Sequence, residues 1–451
     1  MHARDDSPRK QRVAIVGGGL AGLAAAVNLC GSGHTVELFE SRRQVGGRAA
    51  SFRDPATGEL VDYCQHVSLG CCNEFAAFCQ TTGIADSFRR DRVLHFFKDD
   101  GRRYDVQGTP WLPAPLHLTP ALLKLGYLSW RERVGLAGAM LALRHSTGDD
   151  EAIGPWLRRH GQSERAIRDF WAVVLNSALG ESVERAGIAY ARKVFVDAFL
   201  TSPDGYEVLV PLEPLSELFG RRVVEHLRAR GAMVHEGRGV KRVEIINEKV
   251  RSLLLDDGSS FECDAAIVAV PWRHVTGMFD KAVLAGPLRN LQSVNEITGA
   301  PITGVHLWFD REITPLPHAV LVGMESQWLF NRGRDASSAG YYYQVVISAS
   351  HGLEGRPRDE VVASVVSELA KAFSEARAAK LLNSRVVTDV NAVFSPVPGI
   401  DRLRPPQKTA IANLALAGDW TATGWPGTME SAVRSGQMAA EAIAEMLKSE
   451  G

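Results

Sequence analysis

Three glycines at fixed spacing, Gly17-x-Gly19-x-x-Gly22, stand between the apolar run Val13–Val16 and the Ala- and Leu-rich stretch Leu20–Leu29, whose apolar residues recur at helical spacing. In a strand–turn–helix context this triplet makes a phosphate cradle. Gly17 permits the tight turn, Gly19 lets the main chain approach a pyrophosphate, and Gly22 allows close helix–strand packing. The helix start at Leu20 and Ala21 turns free N–H groups toward phosphate. Glu40 closes the apolar run Thr35–Glu40, 18 residues after Gly22, with Ser41 just beyond it. A carboxylate there accepts hydrogen bonds from ribose hydroxyls and disfavours a ribose 2′-phosphate, so the expected ligand is an adenine dinucleotide.

A second glycine device, Val45-Gly46-Gly47-Arg48, follows Glu40 closely and selects FAD over NAD. Arg48 is placed to pair with phosphate or to lie beside a flavin. These residues need a strand–turn–helix–strand unit to hold them, and the first forty residues contain one of ordinary length.

With 451 residues the chain is long enough for two or more domains and a large buried core. Lys+Arg 51 against Asp+Glu 52 leaves no basic excess for nucleic acid. The cysteines at 30, 64, 71, 72, 79 and 263 form no C-x-x-C pair and match no zinc or iron–sulfur spacing, so no metal site is expected and a reduced, cytoplasmic compartment is. Residues 1–10 read as a disordered leader, and no run is long and apolar enough to span a bilayer. The pattern predicts a helix over Leu215–Gly231 and strands over Val234–Val240, Val243–Ile246, Val250–Asp256 and Ala265–Val270. Further strands are expected over Ile302–Phe309, Ala319–Val322, Tyr341–Ser350 and Leu414–Ala417, with helices at Glu360–Phe373 and Met429–Leu447. This order divides the chain into a cofactor domain of 11–105, 210–290 and 390–451, and a substrate domain of 106–209 and 291–389.

The Gly-Gly-Arg box resembles that of the flavin amine oxidase and phytoene desaturase superfamily, and Leu414–Asp419 resembles that superfamily's second flavin motif. The resemblance implies an α/β fold: a Rossmann-like FAD-binding domain with an interleaved α+β substrate domain of helices and a mixed or antiparallel sheet. It implies that Gly418 and Asp419 hold the ribityl or pyrophosphate part, and that Val240 meets the adenine through its backbone. The helix begun by Thr428, Met429 and Glu430 would point its positive end at the flavin.

A closer resemblance, to the hydroxysqualene dehydroxylases, runs through Gly46–Phe52 with Val61–His66, Val305–Asp310 with Gln327–Asn331, and Gly418–Glu430. It implies reduction of a thirty-carbon allylic alcohol to squalene by hydride from reduced FAD, as in hopanoid-type pathways, with an unidentified electron donor. Loss of hydroxide needs a proton donor. His66 is the first candidate because an unperturbed imidazole donates near neutral pH, and Gln65 would orient the hydroxyl; Asp62 is the second candidate acid, though better suited to anchor His66 or backbone amides. Trp328, Trp420 and Trp425 would wall the site and stabilise a developing cation. A hydrocarbon substrate favours an apolar portal at 111–143, where Trp111, Leu112, Leu116, Leu118, Leu122, Leu123, Tyr127, Leu128 and Trp130 would offer amphipathic contact and Lys124, Arg131 and Arg133 would meet headgroups, peripherally on the inner face of the cytoplasmic membrane. The alternatives are a carotenoid-type desaturase and a noncatalytic flavin-containing prenyl-lipid carrier. An amine oxidase fits less well, because the strand at Ile302–Phe309 lacks the lysine those enzymes often carry there.

Overall fold

The computed structural model describes residues 11–30, 33–55, 58–148, 150–334 and 340–449. The expected leader at residues 1–10 lies outside the described residues.

Arg12–Val16 is the middle of a five-stranded parallel sheet in the order Met233–Glu236, Thr35–Glu40, Arg12–Val16, Ala265–Val268, Leu414–Leu416. A parallel strand covered on both faces must be apolar throughout, and Val13, Ala14 and Ile15 are indeed buried. The helix Leu20–Cys30 follows the glycine turn and packs along the closing helix Met429–Ser449. The two meet almost backbone to backbone, since a Cβ on Gly436 would lie 2.1 Å from the Ala21 carbonyl oxygen. The last sheet strand and the last helix therefore complete the unit that the first forty residues begin.

A second layer is a seven-stranded sheet in the order Leu381–Phe394, Gly299–Phe309, Tyr341–Ser348, Trp328–Arg334, His318–Leu321, Leu94–Phe97, Arg103–Val106. All its pairs are antiparallel except His318–Leu321 with Leu94–Phe97. Alternation gives it two unlike faces. Val305, Leu307, Phe309, Val345 and Ile347 form one core with Val361, Val365 and Leu369 of the helix Arg358–Ala372. The opposite face carries His306, Trp308, Tyr342, Gln344, Trp328, Phe330 and His318, and part of it packs toward Phe170, Trp171 and Phe195 of the helical region.

Three expectations change. Leu94–Phe97 and Arg103–Val106, expected with the cofactor unit, pair into the seven-stranded sheet. The expected strand Val234–Val240 is two elements, Met233–Glu236 and Val240–Ile246, split at Gly237, whose φ of +70° turns the chain. Leu381–Phe394 was not anticipated at all: an edge strand half-exposed along its length shows no clean apolar alternation.

Candidate functional site

The glycine turn sorts its three positions by what a side chain would meet. A Cβ on Gly17 would lie 2.6 Å from the Ala269 carbonyl oxygen, and one on Gly22 would lie 2.0 Å from that of Gly17. These two are required by the protein's own packing. A Cβ on Gly19 would meet no described atom within 4 Å, so the protein's own packing does not require glycine there and the space before it is open. Gly46 and Gly47 close one side of that space: the Gly46 amide donates to the Gly18 carbonyl at 2.8 Å, and Gly47, at φ +63°, brings its Cβ direction to 3.1 Å from the Gly19 Cα. Leu20 and Ala21, both buried, start the helix here.

Glu40 is buried at the strand end, and its carboxylate accepts from the Gly18 and Arg42 amides, each at 2.8 Å, and from the Ser41 hydroxyl at 3.3 Å. The Arg238 amide donates to the Glu40 carbonyl and the Gly237 amide to that of Arg42. These bonds draw the loop before Val240 to the side of Ser41, where a Cβ on Gly239 would lie 3.2 Å from the Ser41 Cβ. Gly17, Gly19, Leu20, Ala21, Gly22, Glu40, Ser41 and Val240 thus gather round one end of the parallel sheet.

Arg48 reaches Asp419, Nη2 to Oδ1 at 2.5 Å, and its other arm donates to the Ala392 carbonyl at 2.7 Å. The sequence alternatives for Arg48 were phosphate and flavin; its protein partner is the carboxylate of the second flavin motif. Gly418 donates to Ser435 at 2.8 Å, and its φ of +148° brings its Cβ direction to 2.3 Å from the Trp420 Nε1, room that only glycine leaves. Thr428 accepts from the Ser431 amide at 3.2 Å at the start of the closing helix, beside the buried Met429. Glu430 is committed elsewhere: its carboxylate accepts from the Glu74 and Phe75 amides at 3.2 and 2.8 Å, capping the helix Asn73–Thr81. Burial raises the pKa of that carboxyl.

The residues expected to handle a proton are arranged differently from expectation. His66 is bonded through Nδ1 to the Cys64 carbonyl at 2.9 Å, and burial lowers its pKa, so the imidazole is neutral at neutral pH rather than a standing acid. Of its two expected partners, Asp62 takes a backbone amide, and among the described residues no hydrogen bond joins it to His66. Its Oδ1 accepts from the Ser51 hydroxyl at 2.7 Å and the Leu215 amide at 2.8 Å, and burial outweighs these bonds to raise its pKa. Gln65 donates to the His66 carbonyl at 3.1 Å and leaves its Oε1 without a partner. The chain at Tyr63 and Cys64 lies on Gly304 of the seven-stranded sheet, where a Cβ would be 3.0 Å from the Tyr63 carbonyl oxygen.

The three tryptophans occupy separate places. Trp420 is fully buried and donates to the Val270 carbonyl at 2.9 Å, so it locks the cofactor segment to the parallel sheet instead of walling a cavity. Trp425 lies under the Lys193 ammonium, 4.3 Å from the ring centre. Trp328 sits on the inner sheet face, stacked 5.6 Å from Phe330, with its indole N–H on Ser177 at 3.0 Å.

That inner face holds what the motif reading passed over. His306, Gln344, Phe330 and His318 stand opposite one another on four successive strands. His306 bonds Tyr342 at 2.7 Å, and burial pushes its pKa down to about 4. His318 is paired through Nδ1 with Asp91 at 2.9 Å, which Arg89 also grips. Among the described residues the Nε2 atoms of Gln344 and His318 have no partner. Only cross-strand register brings these residues into one row, so no local spacing marks them.

The open space before Gly19, the ribose-height carboxylate of Glu40 and the Arg48–Asp419 pair fit the phosphates, ribose and ribityl chain of a flavin dinucleotide. Comparison with known proteins agrees. The profile of the family described as flavin containing amine oxidoreductase matches residues 20–444. The chain is 27% identical to the 15-cis-phytoene desaturase of Solanum lycopersicum, over 97% of this chain and 79% of that one. It is 26% identical to the 15-cis-phytoene desaturase of Synechococcus elongatus, over 96% and 95%. The solved cyclohexylamine oxidase of Brevibacterium oxydans shares the fold, with a TM-score of 0.72 at 18% identity over 97% of this chain and all of that one. FAD is the cofactor that motif, geometry and family profile assign together.

Proposed function

We propose, for a chain that belongs to the flavin containing amine oxidoreductase family, that it reductively dehydroxylates hydroxysqualene to squalene in triterpenoid biosynthesis. FAD, once bound and reduced by an electron donor, would supply the hydride. The chain's own residues must then hold a long hydrocarbon, recognise one hydroxyl and let it leave as water.

The inner face of the seven-stranded sheet carries this reading. Trp308 and Tyr342 stack at 4.8 Å and Trp328 and Phe330 at 5.6 Å, an aromatic floor suited to an isoprenoid and to developing positive charge. Within it Gln344 is 1% exposed, yet its Nε2 is unpaired. Against a pure hydrocarbon such a donor stays unsatisfied, at a cost of about 1–3 kcal/mol. An alcohol oxygen would accept from it. The unpaired Oε1 of Gln65 supplies a complementary acceptor for a hydroxyl proton. For the acid that releases water, Asp62 now ranks above His66, because burial favours the protonated form of a carboxyl and the neutral form of an imidazole.

Substrate entry from a bilayer fits the segment 111–143. Trp111, Leu116, Leu123 and Trp130 are exposed, together with Val134 and Leu141, while Leu118 and Leu128 are buried beneath them. Lys124 and Arg131 are exposed nearby, whereas Arg133 turns back to cap the Leu123 and Leu128 carbonyls. No described helix is long and apolar enough to cross a membrane, so the contact we propose is peripheral, on the inner face of the cytoplasmic membrane.

The second reading, a carotenoid-type desaturase, is favoured by relatives named phytoene desaturase. Anaerobically reduced protein mixed with hydroxysqualene separates the two. Flavin reoxidation with squalene formed supports the dehydroxylase. Bleaching of oxidised flavin by phytoene, without response to hydroxysqualene, supports the desaturase, and silence toward both leaves the binding role.

A further inference from the structure

Arg404 lies outside every motif, between the 3-10 turn Ile400–Leu403 and the strand Leu414–Leu416. Its side chain is fully buried. The guanidinium spends its donors almost entirely on the cofactor segment: Nη2 on the Asp419 carbonyl at 3.0 Å, the Thr421 carbonyl at 2.6 Å and the Thr423 hydroxyl at 3.1 Å, and Nε on the Trp420 carbonyl at 3.4 Å. Nη1 takes the Tyr190 hydroxyl and the Asp401 carboxylate, the latter at 3.0 Å. Tyr190 in turn bonds Asp401.

Burying a guanidinium is unfavourable unless its rigid fork is satisfied, and here main-chain carbonyls satisfy it. That ties the position of three successive carbonyls to one side chain. The Asp419 carbonyl is held from a second side by the Ser431 hydroxyl at 3.0 Å, and Ser431 also bonds Thr423 at 2.7 Å. With its backbone clamped by Arg404 and Ser431, Asp419 presents its carboxylate toward Arg48. Arg404 also reaches the other half of the molecule: Tyr190 belongs to the helix Ile188–Phe195, and the guanidinium lies 4.6 Å from the ring centre of Phe394, at the end of the edge strand Leu381–Phe394.

We propose that Arg404 is a positioning residue for FAD: it sets the Asp419 carboxylate for the cofactor and couples that setting to the substrate-side helix through Tyr190. The inference rests on the FAD assignment and is independent of which isoprenoid is transformed.

The test compares Arg404→Leu, Arg404→Lys and Tyr190→Phe in the full chain, reading FAD dissociation constant, flavin visible spectrum and midpoint potential beside thermal stability. Arg404→Leu should weaken FAD by about 30-fold or more, Arg404→Lys by about 10-fold because an ammonium cannot reproduce the fork, and Tyr190→Phe by about 3-fold. The spectrum and potential of the flavin that remains should shift in the same order. Should Arg404→Leu fail to fold, Arg404→Lys and Tyr190→Phe decide the matter. Lower thermal stability with FAD affinity within twofold of the parent, and unchanged spectrum and potential, would make Arg404 purely structural and overturn the proposal. A parent protein that binds no FAD on reconstitution would instead overturn the cofactor assignment.

Discussion

The cradle at Gly17–Gly22 and the inner face of the seven-stranded sheet are built on opposite principles. The cradle is made of main chain, and its residues are defined by what they lack. Two glycines cannot carry a Cβ because protein occupies the place, and one leaves its space open. The sheet face is made of side chains from four successive strands, aromatic but carrying polar groups that the protein itself does not satisfy. A cofactor common to many reactions is held by backbone geometry, whereas in the function proposed above substrate choice would reside in side chains that can change without disturbing the backbone.

The sharpest way to break this contrast lies in the cradle. Gly22→Ala puts a Cβ 2.0 Å from the Gly17 carbonyl oxygen, so the turn must shift. The variant should purify without flavin and with a lowered Tm. Gly19→Ala meets no protein atom within 4 Å, so the flavin-free protein should melt as the parent does while FAD affinity drops by about tenfold or more. Equal melting and equal FAD affinity for Gly19→Ala would mean that the open space is not the pyrophosphate site.

On the sheet face, Gln344→Leu should leave FAD binding untouched. Turnover of the alcohol, as kcat/KM, should fall by about 10–100-fold because the hydroxyl loses its donor. Unchanged alcohol turnover would detach Gln344 from the substrate. Glu40→Ala removes the acceptor of the Gly18 amide together with the ribose contact, and equilibrium dialysis should register roughly tenfold weaker FAD. Full flavin occupancy at dilute protein would count against the ribose role.

A smaller effect is expected at the proposed portal, residues 111–143. Replacing Trp111 and Trp130 by Ser should reduce cosedimentation with anionic phospholipid vesicles several-fold without altering flavin content. Vesicle binding equal to that of the parent would remove the segment from the membrane contact. The smallest is a pH effect. His306 has a pKa pushed down to about 4 by burial, so its contribution to stability is complete above the ordinary histidine pKa of about 6.5 and is lost as pH falls from there through about 4. His306→Phe should flatten that acid limb, by about 1 kcal/mol at pH 5.5 in denaturant titrations. Parallel acid limbs for parent and variant would exclude His306 as their source.

The sequence was most informative where chemistry depends on local spacing. Gly17–Gly22, Glu40 and the Gly46-Gly47-Arg48 box sit within thirty or so residues, and each position follows from a backbone requirement. The apolar run Leu414–Ala417 marked the fifth parallel strand, although more than 370 residues separate it from Glu40. Local signals were weaker for His66 and Glu430: their chemical types were visible, but burial and hydrogen bonding made one a neutral base and the other a helix cap. Leu381–Phe394 went unseen because an edge strand needs no apolar alternation.

By itself, then, the sequence determined the cofactor and the class of fold, since glycine absences and a strand-end carboxylate act over a few residues. Tertiary structure alone decided that His306, Gln344, Phe330 and His318 share a row, that Trp420 packs instead of lining a wall, and that Arg404 grips Asp419. Register, burial and long-range hydrogen bonds exist only once distant segments meet, and they set both the protonation and the direction of every side chain at the site.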